Sequence, residues 1–540
     1  MTRVPGRSTD LFGAPSVHTS GSGTHAEPTE TAGAVGMNGA AAGAEGSQVR
    51  VSLSGGMRWS AISTVGRETT RLIFTILLAR IIGPEPFGIV AQATVYIGVV
   101  GLLLDQGFSS ALIQRRRLEN DLPGAVVTVN LVIGAVLSLA TLAVAPLWAD
   151  FMSTPQLTLV LAVLAPGLLI RAAAITPRAL LLREMAFRKI GIVDIGSAMV
   201  GGILGVVVAV LGGSYWALVV QTLSTDAVLA ALLLLGAGRR PNLRFRVLRR
   251  IAGFSSRAFA AGLLINSVSR NIDSLLIGRY LGPEPLAFYG LANRLLLLPV
   301  RLVSSTIGGV LFPAFSRLAG DLGTLRTEVA RATRVIAVLA LPAMALISAA
   351  APELVHVLFG QEWLPAVPIV QVLALAGAVQ TIYQPTTAPL ILGLGHARLN
   401  LRYAWLVTVV STVGIVGGLP FGAFGVAVGY TIATGLLIPV EWLIRRRLLG
   451  IPLRSQAAML WPGVHVAGWT AAAYLLIAII VPAHELAVLM LGALAAVLVG
   501  IGVLWVAHRG SLAELLRLSH RLSGRDVRRS ATAEPRRAAQ

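Results

Sequence analysis

Cysteine is absent from the 540 residues, so the chain has neither a disulfide nor a thiolate metal site. Lysine occurs once, as Lys189, followed by Ile190 and without a glycine-rich approach. That excludes a Walker A phosphate loop and ATP hydrolysis through it. Any driving force must then come from an ion gradient, the membrane potential or the substrate's own gradient. Charge is scarce as well: 13% of residues are charged and 55% hydrophobic, with a mean hydropathy of +0.78. A soluble protein of this size needs more charge to cover its surface.

What fills the chain instead is long apolar runs. Fourteen of them lie between residues 57 and 508, each long enough to cross a ~30 Å hydrocarbon core as helix. The expected fold is an all-α polytopic membrane protein. The formal net charge of +20 could suggest nucleic-acid binding. The arginines, however, cluster in short loops between apolar runs, so no nucleic-acid partner is expected. Basic loops such as 114–121, 183–189, 238–250 and 445–454 alternate with loops lacking Lys and Arg, such as 149–156, 212–214 and 482–485. By the positive-inside rule both termini are expected in the cytoplasm of a multi-pass cell-membrane protein. The outer loops are short, which argues against an extracellular catalytic domain.

The same four residues, Gly-Pro-Glu-Pro, end the first and seventh runs. Residues 58–90 align without gaps on 257–289, with ten identities that include Arg71/Arg270 and Arg80/Arg279. Low-complexity Leu/Ala repetition cannot produce matches among charges and turn residues, so the chain reads as an internal duplication. Gly83 and Gly282 supply the helix stop, and Pro84 and Pro283 block its continuation. Six runs separate the copies, so they point the same way, as in transporters built from parallel repeats with a site near the midplane. The expected layout is a tail over 1–56, an N-lobe over 57–236 (spans 1–6) and a basic cytoplasmic linker over 237–250. A C-lobe follows over 251–444 (spans 7–12), then spans 13 and 14 over 459–508 and a basic cytoplasmic tail over 509–540. The first tail, rich in Gly, Ala, Ser and Thr, is expected to be disordered and cytoplasmic.

Several arginines fall within the apolar runs. Arg67 and Arg71 lie roughly 15 and 21 Å along span 1 from its cytoplasmic start. Arg171, Arg270, Arg294 and Arg301 are also inside spans. A lipid-facing Arg at the midplane costs ~2.5–3.5 kcal/mol on the lenient insertion scale, so these side chains should face a hydrated cavity or a carboxylate. Internal neutralisation is one reading: Glu68 is placed to reach Arg71, and Asp273 to reach Arg270, at i, i+3. The other is an anion site, because guanidinium holds phosphate through two parallel hydrogen bonds. Asp273, Asp105 and Glu68 are the candidates for coupling a cation, H+ or Na+; Asp194 and Asp226 also lie within spans. No cofactor or metal is expected.

The stretches LLARIIGPEPFGIVAQA, DQGFSSALIQRRRLEND and RNIDSLLIGRYLGPEPLAFYGLANRLLLLPV resemble the lipid-linked oligosaccharide flippases of bacterial polysaccharide synthesis. These form part of the multidrug/oligosaccharidyl-lipid/polysaccharide exporter superfamily, and the resemblance runs over roughly 57–508. It implies a V-shaped pair of six-helix lobes around a central cavity, with two extra helices and alternating access. The implied cargo is an undecaprenyl-diphosphate-linked oligosaccharide or polysaccharide precursor, passed from the inner to the outer leaflet. Membrane lipids and polysaccharide-synthesis enzymes are the implied partners. On that reading Arg67, Arg71, Arg270 and Arg294 hold the diphosphate, with Arg171 and Arg301 in the same cavity. A drug or small-metabolite antiporter of the same superfamily stays open, as do a membrane glycosyltransferase or polysaccharide polymerase and a scaffold without transport.

Overall fold

Helix formation accounts for nearly every described residue, because a backbone in lipid must satisfy its own N–H and C=O groups. The computed structural model describes residues 59, 63–104, 109, 112–113, 121–237, 242, 271–303, 309–481 and 484–522, all within one unit, Gly56–Gln540. Arg270 and Asp105 lie outside the described residues, as do the 1–56 tail and nearly all of the 237–250 linker. Among the described residues there is no strand, and nine segments are long and apolar enough to cross a membrane. The protein is a multi-pass membrane protein.

In the first half, α1 covers residues 63–82, α2 Pro84–Gly101, α3 Leu122–Phe151, α4 Leu157–Arg183, α5 Phe187–Val210 and α6 Trp216–Ala237. In the second, α7 is Ile272–Tyr280, α8 Pro283–Val303, α9 Gly309–Arg317, α10 Leu322–Ala349 and α11 Ala351–Phe359. A 3-10 turn over Gln361–Ala366 leads into α12, Val367–Gly393. The chain ends in α13 Ala397–Gly418, α14 Gly422–Leu436, α15 Ile438–Leu449, α16 Leu453–Ile480, α17 Glu485–Ala507 and α18 Arg509–Leu522.

Both Gly-Pro-Glu-Pro segments adopt the expected turn. Gly83 and Gly282 have φ of 77° and 94°, and Pro84 and Pro283 open α2 and α8. The Gly83 amide donates to Ala79 O at 3.2 Å, and the Gly282 amide to Ile277 O at 3.2 Å. Glu85 and Glu284 sit in the first turns that follow, where the helix dipole favours a negative charge. The proline-bearing helices α10 and α12 run on through Pro342, Pro385 and Pro389.

Neighbouring helices pack as antiparallel pairs, α3 with α4, α5 with α6, α13 with α14 and α16 with α17. Across the duplication, α2 packs on α8. Gly88 makes that contact possible: a Cβ there would stand 1.9 Å from Pro283 O. Nearby, Gln92 Nε2 donates to Gly278 O at 2.9 Å, and Arg80 Nη1 donates to Val357 O at 2.7 Å. Trp363 Nε1 donates to Ala79 O at 2.9 Å, and its buried ring meets Phe87, Phe288 and Phe359. These contacts join the two copies near their Gly-Pro-Glu-Pro ends. Large apolar side chains such as Leu235, Val413 and Ile479 point outward, as a lipid-facing surface requires.

One stretch departs from the sequence reading. Residues 445–454 were expected as a cytoplasmic loop, but α15 continues to Leu449 and Arg445 is 2% exposed. A buried guanidinium needs partners, and α10 and α12 supply them. Arg445 donates to Thr333 at 3.0 Å, Thr386 at 2.5 Å and Thr387 at 3.2 Å, and lies 4.8 Å from the ring centre of Tyr383. Glu441, one turn earlier and equally buried, accepts hydrogen bonds from Thr387 and Tyr403. The network ties α10, α12, α13 and α15 together.

Candidate functional site

A cavity of about 370 Å³ opens between α1, α2, α4, α5, α6 and α8. Its charged lining is Glu68 and Arg71 from α1, Arg171 from α4, Asp226 from α6 and Arg294 from α8. The rest is mostly threonine, glutamine and small or branched apolar side chains. Arg294 is the contribution of the second copy, and its guanidinium carbon lies 5.1 Å from the ring centre of Phe87 on α2. A cation over an aromatic face is stabilised by the ring quadrupole.

Among the described residues, Arg171 and Arg67 are paired with carboxylates. Arg171 Nε donates to Asp226 Oδ2 at 2.6 Å, so its charge is met by a carboxylate from another helix. Arg67 Nη1 donates to Asp194 Oδ2 at 3.0 Å, and its Nη2 to Glu68 Oε1 at 3.3 Å. Arg178 closes on Asp194 through two bonds, at 2.8 and 2.9 Å. Arg67 therefore belongs to a structural cluster beside the cavity and is not among its lining residues. Arg71 makes no hydrogen bond or ion pair with another described residue; Glu68, one turn away, bonds Arg67 instead. Arg301 lies in α8, with its side chain outside the described part.

Asp273 begins α7 away from this lining. Its carboxylate takes the Ser274 amide at 2.7 Å and hydrogen-bonds the buried Tyr289 hydroxyl. No group of three or more His, Asp or Glu suited to a metal occurs among the described residues. Asp226, Asp194 and Arg178 are the partners that reading one helix at a time does not reveal. The available signal was a lone acidic residue in each of two apolar runs.

The sequence profile of the family described as "Polysaccharide biosynthesis protein" matches residues 77–368. The chain belongs to that family. Among curated relatives, the lipopolysaccharide biosynthesis protein WzxC of Escherichia coli (strain K12) is 26% identical over 75% of this chain and 83% of its own length. The succinoglycan biosynthesis transport protein ExoT of Rhizobium meliloti (strain 1021) is 28% identical over 66% of this chain and 72% of its own. The teichuronic acid biosynthesis protein TuaB of Bacillus subtilis (strain 168) is 25% identical over 72% and 78%. Among solved structures, lipid II flippase MurJ in an inward closed conformation superposes with a TM-score of 0.65 at 14% identity, covering 87% of this chain and 99% of its own. An inward-facing multidrug resistance transporter of the MATE family gives 0.57 at 16% identity, covering 72% and 98%. Both likenesses show the fold alone.

Proposed function

We propose that this protein is a flippase. It moves an undecaprenyl-diphosphate-linked oligosaccharide or polysaccharide precursor from the inner to the outer leaflet of the cytoplasmic membrane. The observation that carries this reading is that Arg71 of one copy and Arg294 of the other line a single cavity. A guanidinium from each side can grip a diphosphate through charge-assisted hydrogen bonds. The polyprenyl tail would stay in lipid while the glycan occupies the polar cavity. Relatives named for biosynthesis and transport of bacterial polysaccharides support the cargo class.

In this reading spans 1–6 and 7–12 form two lobes, spans 13 and 14 stand outside the duplication, and both termini are cytoplasmic. The lobes rock about the contacts near Gly88 and Trp363, exposing the cavity to each leaflet in turn. Arg67 serves to hold Asp194, and Arg270 is reserved for the same diphosphate from the segment before α7. The protein carries out no covalent chemistry in this account, and polysaccharide-synthesis enzymes supply and consume its cargo. The test is Arg71→Ala with Arg294→Ala, measuring surface polysaccharide at matched protein level in a strain lacking the native gene. Loss of export is expected, and unchanged export in the double variant refutes the anion site.

A cation-coupled antiporter is the second reading, and Asp273 is the observation that favours it. Among the described residues its carboxylate is met by neutral donors, the Ser274 amide and the Tyr289 hydroxyl, and such a carboxylate can hold a proton or Na+. Coupling and flipping are compatible, so Asp273→Asn separates them: a flippase driven by cation coupling loses its gradient dependence while still binding cargo.

A further inference from the structure

Two imidazoles meet where α17 gives way to α18, and neither lines the cavity. Nδ1 of His465, on α16, lies 3.1 Å from Nε2 of His508, the residue between α17 and α18. Trp469, one turn further along α16, donates its Nε1–H to His465 Nε2 at 3.1 Å. An indole nitrogen can only donate, so His465 Nε2 presents a lone pair and the neutral ring carries its proton on Nδ1. That proton is donated to His508 Nε2, which accepts, so His508 carries its own proton on Nδ1. The three side chains form a donor chain that runs one way. An added proton can enter only at His465 Nε2 or at His508 Nε2. At the first it meets the indole N–H, and at the second the Nδ1–H of His465. Either way two N–H groups face each other where a hydrogen bond stood.

His508 also starts α18. Its carbonyl accepts the Ser511 and Leu512 amides at 3.0 and 3.1 Å. From there α18 lies on α10. Ser511 is buried, and Leu512 and Leu515 join a cluster with Val338 of α10, Val466 of α16 and Leu504 of α17. Glu514 reaches Arg334 at 3.4 Å and Arg331 at 4.0 Å, and Arg331 also holds Glu328 at 2.8 Å. The remaining charged groups at this end are Arg454, which opens α16, and Arg509, set 5.2 Å from the centre of the Trp505 ring. Burial, and after it the neighbouring His465, hold the His508 imidazole below its ordinary value.

We infer that His465 and His508 form a proton-operated latch: the neutral pair keeps α18 seated on α10, and uptake of a proton releases it. The inference is independent of what the cavity carries. A released form that binds more protons than the seated form is favoured as pH falls. The change begins near the ordinary imidazole value of about 6.5 and continues below it. One extra proton on release shifts the equilibrium by at most about tenfold per pH unit. Acid on the side that holds α18 thus frees the end of α17 from α10.

The test is hydrogen exchange in the purified full-length protein in lipid nanodiscs. A free helix as short as the 14 residues of α18 is marginal in water, so release costs it amide protection. Protection over residues 509–522 is measured relative to intrinsic exchange at each pH, from about pH 7.5 to about pH 5.5. It should fall severalfold, up to about tenfold, in the native protein. The double variant His465→Gln/His508→Gln has nothing to titrate in the chain, so its protection should hold one level across the range, high or low. Trp469 is exposed, so Trp469→Phe opens no core cavity. It removes the donor on His465 Nε2 and lets the pair take a proton without conflict, so the fall should shrink. Native protection that stays level overturns the inference. An equal fall in the double variant does the same, because it puts the titrating group elsewhere. A fall that Trp469→Phe leaves undiminished refutes the donor chain as its cause.

Discussion

Arg294, in the helix after the second Gly-Pro-Glu-Pro turn, lies over the ring of Phe87, in the helix after the first, at 5.1 Å from its centre. Phe87 in turn meets Trp363 edge to face at 5.5 Å, and Trp363 hydrogen-bonds Ala79 O at the end of α1. A cation of the cavity, a wall of the cavity and the seam between the copies are therefore one packed series.

Arg71 should be intolerant of both charge removal and change of shape. Charge-assisted hydrogen bonds to phosphate are worth about 1.5–3 kcal/mol, so Arg71→Ala should lower cargo affinity roughly 10- to 100-fold. Arg71→Lys keeps the charge without the planar fork and should recover only part of the loss. Titration of the purified variants with a lipid diphosphate probe checks both, and equal affinities across the three proteins would exclude a direct contact.

Gly88 should be sensitive for a reason unrelated to cargo. A Cβ there would lie 1.9 Å from Pro283 O, so α2 and α8 must separate to admit it. Overpacking of this kind costs about 1–3 kcal/mol. Gly88→Ala should lower the thermal unfolding midpoint in detergent, with a larger drop for Gly88→Val. An unchanged midpoint in both would mean that the two helices do not touch there.

The helical membrane fold and the chemistry of the two turns were legible in the sequence because each is local. The glycines at positive φ and the prolines that start α2 and α8 follow from backbone sterics alone. Side-chain pairing was not legible. Arg171 finds Asp226 55 positions later, and Arg67 finds Asp194 127 positions later, across helix contacts that no periodicity encodes. Of the arginines grouped as one anion site, Arg71, Arg171 and Arg294 share the cavity, and Arg67 stands beside it in a carboxylate cluster. Arg445 was misread because an Arg-rich stretch after an apolar run has the composition of a cytoplasmic loop. Its burial depends on threonines supplied by α10 and α12.

Arg445 and Glu441 should be structural. Removing one member of a buried charged network leaves the other uncompensated, at about 3–5 kcal/mol. Arg445→Ala and Glu441→Gln should therefore each reduce the amount of folded protein recovered from membranes, the second because Gln loses the charge that faces Arg445 and one of the two acceptors used by Thr387 and Tyr403. Recovery at native levels for Arg445→Ala would contradict the network.

At the start of α10, Asp321 caps the helix by accepting from the Gly323 and Thr324 amides, both at 3.1 Å, and from the Thr324 hydroxyl at 2.5 Å. The hydroxyl and amide of Thr324 hold its carboxyl below the usual carboxylate range. A depressed pKa stabilises the folded form above the unfolded value and loses that contribution as pH falls through the folded value. Protection of the Gly323 and Thr324 amides, relative to their intrinsic exchange at the same pH, should fall in that acidic window, and Asp321→Ala should remove this pH dependence of protection.

The central claim is a water-accessible cationic chamber shared by the two copies, and the absence of native cysteine makes it directly measurable. Single cysteines placed at Thr94 and Thr222, both in the cavity lining, can be reacted with a charged methanethiosulfonate in nanodiscs. The account predicts labelling at both positions, slowed at least severalfold by a lipid diphosphate oligosaccharide and not by the same lipid without phosphate. Cysteines that stay unreactive, or that react equally fast with and without that cargo, would contradict it.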